Sequence, residues 1–403
     1  MIKNMWKRLD PSSFVFRYYL ASFFGGLTFY VSVLVPFYTQ WGQLNLTQIQ
    51  FLQSWLMIWM FILNIPTGVF ADHFGRKISV ALGGLIVSAS CILYVLVSGF
   101  YPFLIVEFLN ALGISFVIGA NTALIYDHLK ENDKESESKQ ILGRSSAISS
   151  LGTVIAALIG GFIAANFGIR APMFISAFPL IISSIIILTV HESKHHVDTD
   201  RPNPFDSAKK GLSFLLKSRS LQFLVANDIL VWIGAYFLVW LYQPMLIKVG
   251  LAIVYFGLIR SAFSLAGMAA QFNIHVTEKL FGSRGNFFYA TALIVSVSLL
   301  LIAAFPGVIT VVLAIILIGG FASARTSYLN TIMNEVIPAE QRATVLSGTS
   351  MVNMLVFAIA NPIVGYLADH SLRLAFVGIG VLPLVAFFLL KYSPVLKKDP
   401  ASI

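Results

Sequence analysis

The feature that most limits what this chain can become is a succession of apolar stretches, each about long enough to cross a bilayer. Twelve can be read, at 13–41, 47–71, 78–98, 101–127, 140–167, 171–191, 219–247, 251–281, 285–304, 307–332, 341–368 and 371–391. A helix rising 1.5 Å per residue needs roughly 20 apolar residues to cross a hydrocarbon core of about 30 Å. No water is available there for backbone N–H and C=O groups, so each stretch must close its hydrogen bonds within itself. The expectation is an all-α membrane protein with twelve transmembrane helices.

Composition agrees. The chain is 57% hydrophobic and 11% charged, with a mean hydropathy of +0.83, whereas about a quarter of a soluble domain is charged. The formal net charge of +9 describes orientation rather than a nucleic-acid partner. Threading the spans alternately places 22 of the 27 Lys and Arg residues on the side that holds both termini. Only Arg170, Lys248 and Arg373 lie on the other side, and Arg260 and Arg325 fall within spans. Positive residues stay inside, so a multi-pass protein of the plasma (inner) membrane with both termini cytoplasmic is expected. Lys3, Lys7 and Arg8 precede a span with no small-residue cleavage site, so the first helix is expected to be retained. Cys91 is the single cysteine, which excludes an intramolecular disulfide and a cysteine metal site. No cofactor and no metal are expected.

The one long connection, 192–218, divides the chain into six spans (1–191) and six spans (219–403). Its Phe205, Ala208, Leu212 and Leu215 recur at helical spacing with Lys209 and Lys210 on other faces. That pattern predicts an amphipathic helix lying on the inner membrane surface.

Between the second and third spans stands Gly68-Val69-Phe70-Ala71-Asp72-His73-Phe74-Gly75-Arg76-Lys77. Gly68, lacking a side chain, would let another helix approach. Asp72 could accept backbone N–H groups at the start of a neighbouring helix. Gly75 permits the reversal, and Arg76 and Lys77 hold the turn on the positive side. The spacing G-x-x-x-D-x-x-G-R-K resembles the loop between helices two and three of the major facilitator superfamily. Glu278–Arg284 is a weak copy between spans eight and nine, and Ile337–Arg342 is also similar to the superfamily. The resemblance extends over about 10–395. It implies two pseudo-symmetric six-helix bundles with a substrate site at their interface near mid-membrane. In relatives an acid at the end of helix four pairs with the arginine of this turn. Here that acid is Asp127, so Gly68, Asp72, Gly75, Arg76 and Asp127 are the expected conformational latch.

Where many superfamily members have R-x-x-Q-G-x-G in helix four, this chain has Glu107, Asn110 and Ala111 at the arginine, glutamine and first glycine. The charge is reversed. Glu107 is either a protonatable group or a carboxyl that holds helices together. In span five, Gly152, Gly160 and Gly161 match the G-x-x-x-G-P-x-x-G-G of drug–proton antiporters, with Ala156 and Ala157 in place of the central Gly-Pro. Small residues at that period also serve close helix packing.

Asp228 lies about nine residues into span seven, roughly 13 Å deep at about 1.5 Å per residue. An acid at that depth is a functional candidate, and Trp232, Tyr236 and Trp240 follow it at steps of four. Asp228 with Arg260 is the pairing suggested by depth, with Arg325 nearer the inner side. His191-Glu192-Ser193-Lys194-His195 fits H-E-x-x-H. The run leaves the membrane into a polar loop, so it is set aside as a zinc site, and the chain is not expected to be an enzyme.

The resulting expectation is secondary active transport by alternating access. The substrate is a small organic, amphipathic compound, exported in exchange for protons by a monomer embedded in the bilayer, with no nucleic acid bound. Proton-coupled uptake of a nutrient or metal-chelate is the runner-up. A non-transporting receptor or enzyme on the same scaffold is the third.

Overall fold

The structure, a computed structural model, describes residues 13–192, 204–273, 281–337 and 342–390. Among the described residues there is no strand. The long helices are α1 (Phe14–Gly26), α2 (Leu46–Phe74), α3 (Arg76–Leu96), α4 (Phe100–Glu131), α5 (Ser138–Phe167) and α6 (Ala171–Leu188), then α7 (Pro204–Lys217). They continue as α8 (Arg219–Lys248), α9 (Phe256–Phe272), α10 (Arg284–Ala304), α11 (Val308–Val336), α12 (Arg342–His370) and α13 (Leu372–Leu390). Among the described residues eleven helices are long and apolar enough to cross a membrane, or twelve when the bent pair Phe14–Ser32 with Leu34–Trp41 is taken as one span. The Glu278–Arg284 and Ile337–Arg342 motifs fall partly outside the described residues.

That first span is not a rod. It bends by 61° at Val33, between Phe14–Ser32 and Leu34–Trp41, and already before that bend the α-helix is lost after Gly26. Phe29 N–H donates instead to Ser176 Oγ on α6 at 2.9 Å, and the Ser176 hydroxyl donates to Pro172 O at 2.7 Å. A side chain from α6 thus enters the backbone ladder where the α-helix is interrupted. Beyond the bend, Phe37–Trp41 winds as a wider, π-type turn.

The chain forms two compact units. One holds Met1–Leu44 and Trp55–Arg201, the other Asn45–Ser54 and Pro202–Ile403. Helix α2 therefore begins in the second unit and continues in the first.

In the first unit α3 packs on α4 and α6, and α1 on α5 and α6. Close backbone approach makes these contacts. A Cβ at Gly83 would lie 2.5 Å from Gly113 O, and one at Gly113 would lie 2.8 Å from Gly83 O. On α5, a Cβ at Gly152 would meet Phe23 O at 2.6 Å, and one at Gly160 would meet Phe29 O at 2.2 Å. The span-five glycines thus seat α5 against the first span.

In the second unit α10 packs on α13 as α3 does on α6, and α8 on α13 as α1 does on α6. The same partner choice recurs across the two halves. Helix α7, in the expected amphipathic segment, packs on α12. A Cβ at Gly348 would lie 2.7 Å from the backbone of Gly211, so the two helices cross at these glycines. Large apolar side chains such as Ile105, Phe162, Ile309 and Ile359 are exposed, as suits helices whose solvent is lipid.

Candidate functional site

The turn between α2 and α3 is built around Gly75 and Arg76. Gly75 has φ +102°, a left-handed value that strains any side-chain-bearing residue. Arg76 opens α3 and is only 4% exposed. Its guanidinium makes an ion pair with Asp127 of α4 and approaches Asp72, four residues earlier, at 4.0 Å. The expected trio is therefore assembled within the first unit.

Two details differ from expectation. A Cβ at Gly68 meets open space, so Gly68 is not where a side chain would block a neighbour. Gly119 on α4 passes nearby, its Cβ position 3.7 Å from Gly68 Cα. The second detail is Glu192, whose carboxylate accepts from Lys77 N–H at 3.1 Å and caps the first turn of α3. A side chain at Gly75 would run into it at 2.8 Å. Glu192 thus has a definite task here that differs from the base of an H-E-x-x-H site. His195 lies outside the described residues.

Glu107 is buried in the first unit. Tyr38 Oη donates to its Oε1 at 2.9 Å and Asn110 Nδ2 to its Oε2 at 3.3 Å. The π-type turn after the bend delivers Tyr38, and Phe37, Tyr94 and Phe103 enclose it with ring contacts. The same unit holds a cavity of about 540 Å³. Its polar wall comes from Tyr18, Ser22, Asn121, Ser145, Ser149 and Thr153, facing aliphatic side chains. Tyr18 donates to Asn121 Oδ1 at 2.8 Å, and Ser22 and Ser145 share a hydrogen bond of 2.8 Å. Among the described residues no formal charge lines this space.

In the second unit, Asp228, Trp232, Tyr236 and Trp240 form a half-buried stripe on α8, while Asn227, Val231, Ile233, Ala235, Phe237 and Leu238 are buried. The acid and its aromatic companions therefore share a face of α8 that packing leaves partly open, as it also does Gln222, Ala226 and Leu230. Tyr236 rests on Phe357 of α12, with ring centroids 4.6 Å apart.

Among the described residues Asp228 makes no ion pair within 4.0 Å with either Arg260 or Arg325. The cation whose field reaches it is Arg325 of α11, and Asp228 is the anion whose field reaches Arg325. Depth along the membrane suggested Arg260. That residue instead donates to Ser264 Oγ at 3.1 Å and lies 5.3 Å from the Phe263 ring. Arg325 is fully buried. Its Nη1 donates to Phe288 O at 2.9 Å and Thr291 Oγ1 at 2.6 Å on α10, and the guanidinium stacks over the Phe288 ring at 4.5 Å. Nε and Nη2 have no hydrogen-bond partner among the described residues. One nitrogen of this buried guanidinium is thus held by α10, while the other two lack the hydrogen bonds that a buried charge calls for.

Residues the sequence reading passed over include Thr291, Tyr38 and Asp369. Asp369, at the end of α12, accepts from Leu46 N–H and Thr47 N–H at 2.8 Å each. It caps α2 from 322 positions away. A signal existed: Gly365-Tyr366-Leu367-Ala368-Asp369-His370 repeats the G-x-x-A-D-H of Gly68–His73.

A sequence profile of the Major Facilitator Superfamily matches residues 18–273 and 229–402. The chain belongs to the Major Facilitator Superfamily. This superfamily member is thus a multi-pass integral membrane protein. It is 38% identical over 126 residues to multidrug resistance protein 2 of Bacillus subtilis (strain 168), covering 30% of each chain. It is 29% identical over 152 residues to multidrug resistance protein 1 of the same organism, covering 37% of this chain and 38% of that one. The match spans about a third of the length of these curated relatives. In fold it is similar to a bacterial homolog of the human lysosomal transporter Spinster, at TM-score 0.77 and 16% identity, over 96% of this chain and 97% of that one. It is also similar to the nucleoside transporter NupG, at TM-score 0.77 and 13% identity, over 95% and 100%.

Proposed function

We propose that this protein is a secondary active transporter that exports a small amphipathic compound in exchange for protons, with its Arg76 end in the cytoplasm. Three things support the reading. Asp228 sits on the half-buried aromatic face of α8, facing the field of a buried arginine. The cavity of the first unit combines hydroxyls with aliphatic walls and suits an uncharged or amphipathic guest. The Bacillus relatives are named for multidrug resistance.

Asp228 carries the proposal. An acid inside a membrane span is costly to keep unless it works. Ionised, the carboxylate is drawn to the Arg325 guanidinium. Protonated, that attraction is gone and the two arrangements exchange. A proton entering from outside and leaving inside would drive the cycle, and a cationic or polar group on the substrate would compete for the same carboxylate. The trio at the α2–α3 turn serves as the latch of one access state.

The test is transport in sealed vesicles with an imposed pH gradient. Asp228→Asn is expected to keep substrate counterflow and lose gradient-driven accumulation. Normal gradient-driven transport by Asp228→Asn would remove Asp228 from the coupling step.

A further inference from the structure

A second cavity, of about 570 Å³, opens at the Arg76 end of the first unit. Its wall includes Arg17, Lys77, His128, His191 and Glu192, with Phe14. Four basic side chains thus converge from four places: α1, the start of α3, the end of α4 and the residues after α6. Nothing in the transport reading uses them.

Arg17 and His128 are each fixed by a neighbour. Arg17 Nη1 donates to Thr189 O at 2.5 Å, which fixes the guanidinium at the mouth. His128 stacks on Phe14 with centroids 3.8 Å apart and planes 6° from parallel. Its Nδ1 is buried and has no hydrogen-bond partner among the described residues. The one acid in the wall, Glu192, is turned to Lys77 N–H.

We propose that this cavity binds a phosphate group, presented by the headgroup of an anionic phospholipid or as a free phosphate. The chemistry fits because a phosphate offers several acceptor oxygens to donors converging from different directions, and arginine matches that geometry well. The place fits because the cavity lies where transmembrane helices end, at the depth of lipid headgroups. Basic pockets between transmembrane helices are recognised lipid sites.

Native mass spectrometry of the purified full-length protein tests it, using phosphatidylglycerol, phosphatidylcholine and inorganic phosphate as probes. Phosphatidylglycerol adducts are expected to outlast phosphatidylcholine adducts during delipidation. The preference should fall about tenfold in an Arg17→Gln/Lys77→Gln variant and several-fold in His191→Gln, which alters an exposed side chain and tests the site without disturbing packing. Adducts that resist millimolar inorganic phosphate identify a lipid headgroup. Adducts displaced by it, with phosphate itself retained, identify a soluble phosphate. Equal retention of the two lipids without phosphate binding, or a preference unchanged in both variants, overturns the proposal.

Discussion

Asp369 grips Thr47 at two atoms, taking a hydrogen bond of 2.8 Å from its N–H and one of 2.5 Å from its hydroxyl. With the bond from Leu46 N–H, a carboxylate at the end of α12 satisfies the first turn of α2 and meets the positive end of that helix. Removing it should cost about 1–2 kcal/mol of local stability, the usual worth of an N-cap. Asp369→Ala is expected to speed amide hydrogen exchange at residues 46–50. Unchanged exchange there would mean that water caps the turn equally well.

Arg76 and Asp127 should behave as a coupled pair. Arg76 is buried, so Asp127→Ala leaves a cation without its partner, which is costlier than losing both. We expect Asp127→Ala to lower the thermal unfolding temperature more than the Arg76→Ala/Asp127→Ala double variant. A double-mutant cycle should give a coupling of about 1–3 kcal/mol. Additive effects would reduce the pair to a surface contact.

The glycines separate by what surrounds them. Gly160→Ala puts a methyl group 2.2 Å from Phe29 O, on rigid backbone, and should sharply reduce the yield of folded, monodisperse protein. Gly68→Ala meets open space and should fold normally. Equal yields of the two variants would contradict the α1–α5 packing.

Orientation is open to direct test. In a Cys91→Ser background, Asn45→Cys should react with an impermeant maleimide from outside, and Asp133→Cys only after the membrane is permeabilised. The reverse pattern would invert the topology.

The sequence was most readable where one physical demand acts alone. Backbone groups in lipid leave helices as the solution for an apolar run, so the spans are legible one by one. Arg76 and Asp127 were legible too, because a short turn and a helix end leave few places for either to go. Arg325 was not. Counting residues gives height along a helix but not the direction in which a side chain points. Arg260 matched Asp228 better in height, and height alone does not say where either arginine's side chain points until α9 and α11 are packed. Gly68 and Gly160 make the same point, since identical residues differ only in what stands opposite. Glu192 shows the converse. Its neighbours spell a metal motif, while its actual partner, Lys77, lies 115 positions earlier, beyond the reach of any local pattern.

The interruption of the first span after Gly26 bears on how the protein is made. Phe29 N–H finds its acceptor in Ser176, 147 residues downstream. A chain that enters the bilayer span by span therefore presents an incompletely bonded first segment, and an exposed amide in hydrocarbon is penalised. That segment must stay near the insertion machinery, or keep a more regular helix, until α6 arrives. Biogenesis of this half is then closed by its last span rather than its first, and Ser176 marks the moment at which the six helices become one body.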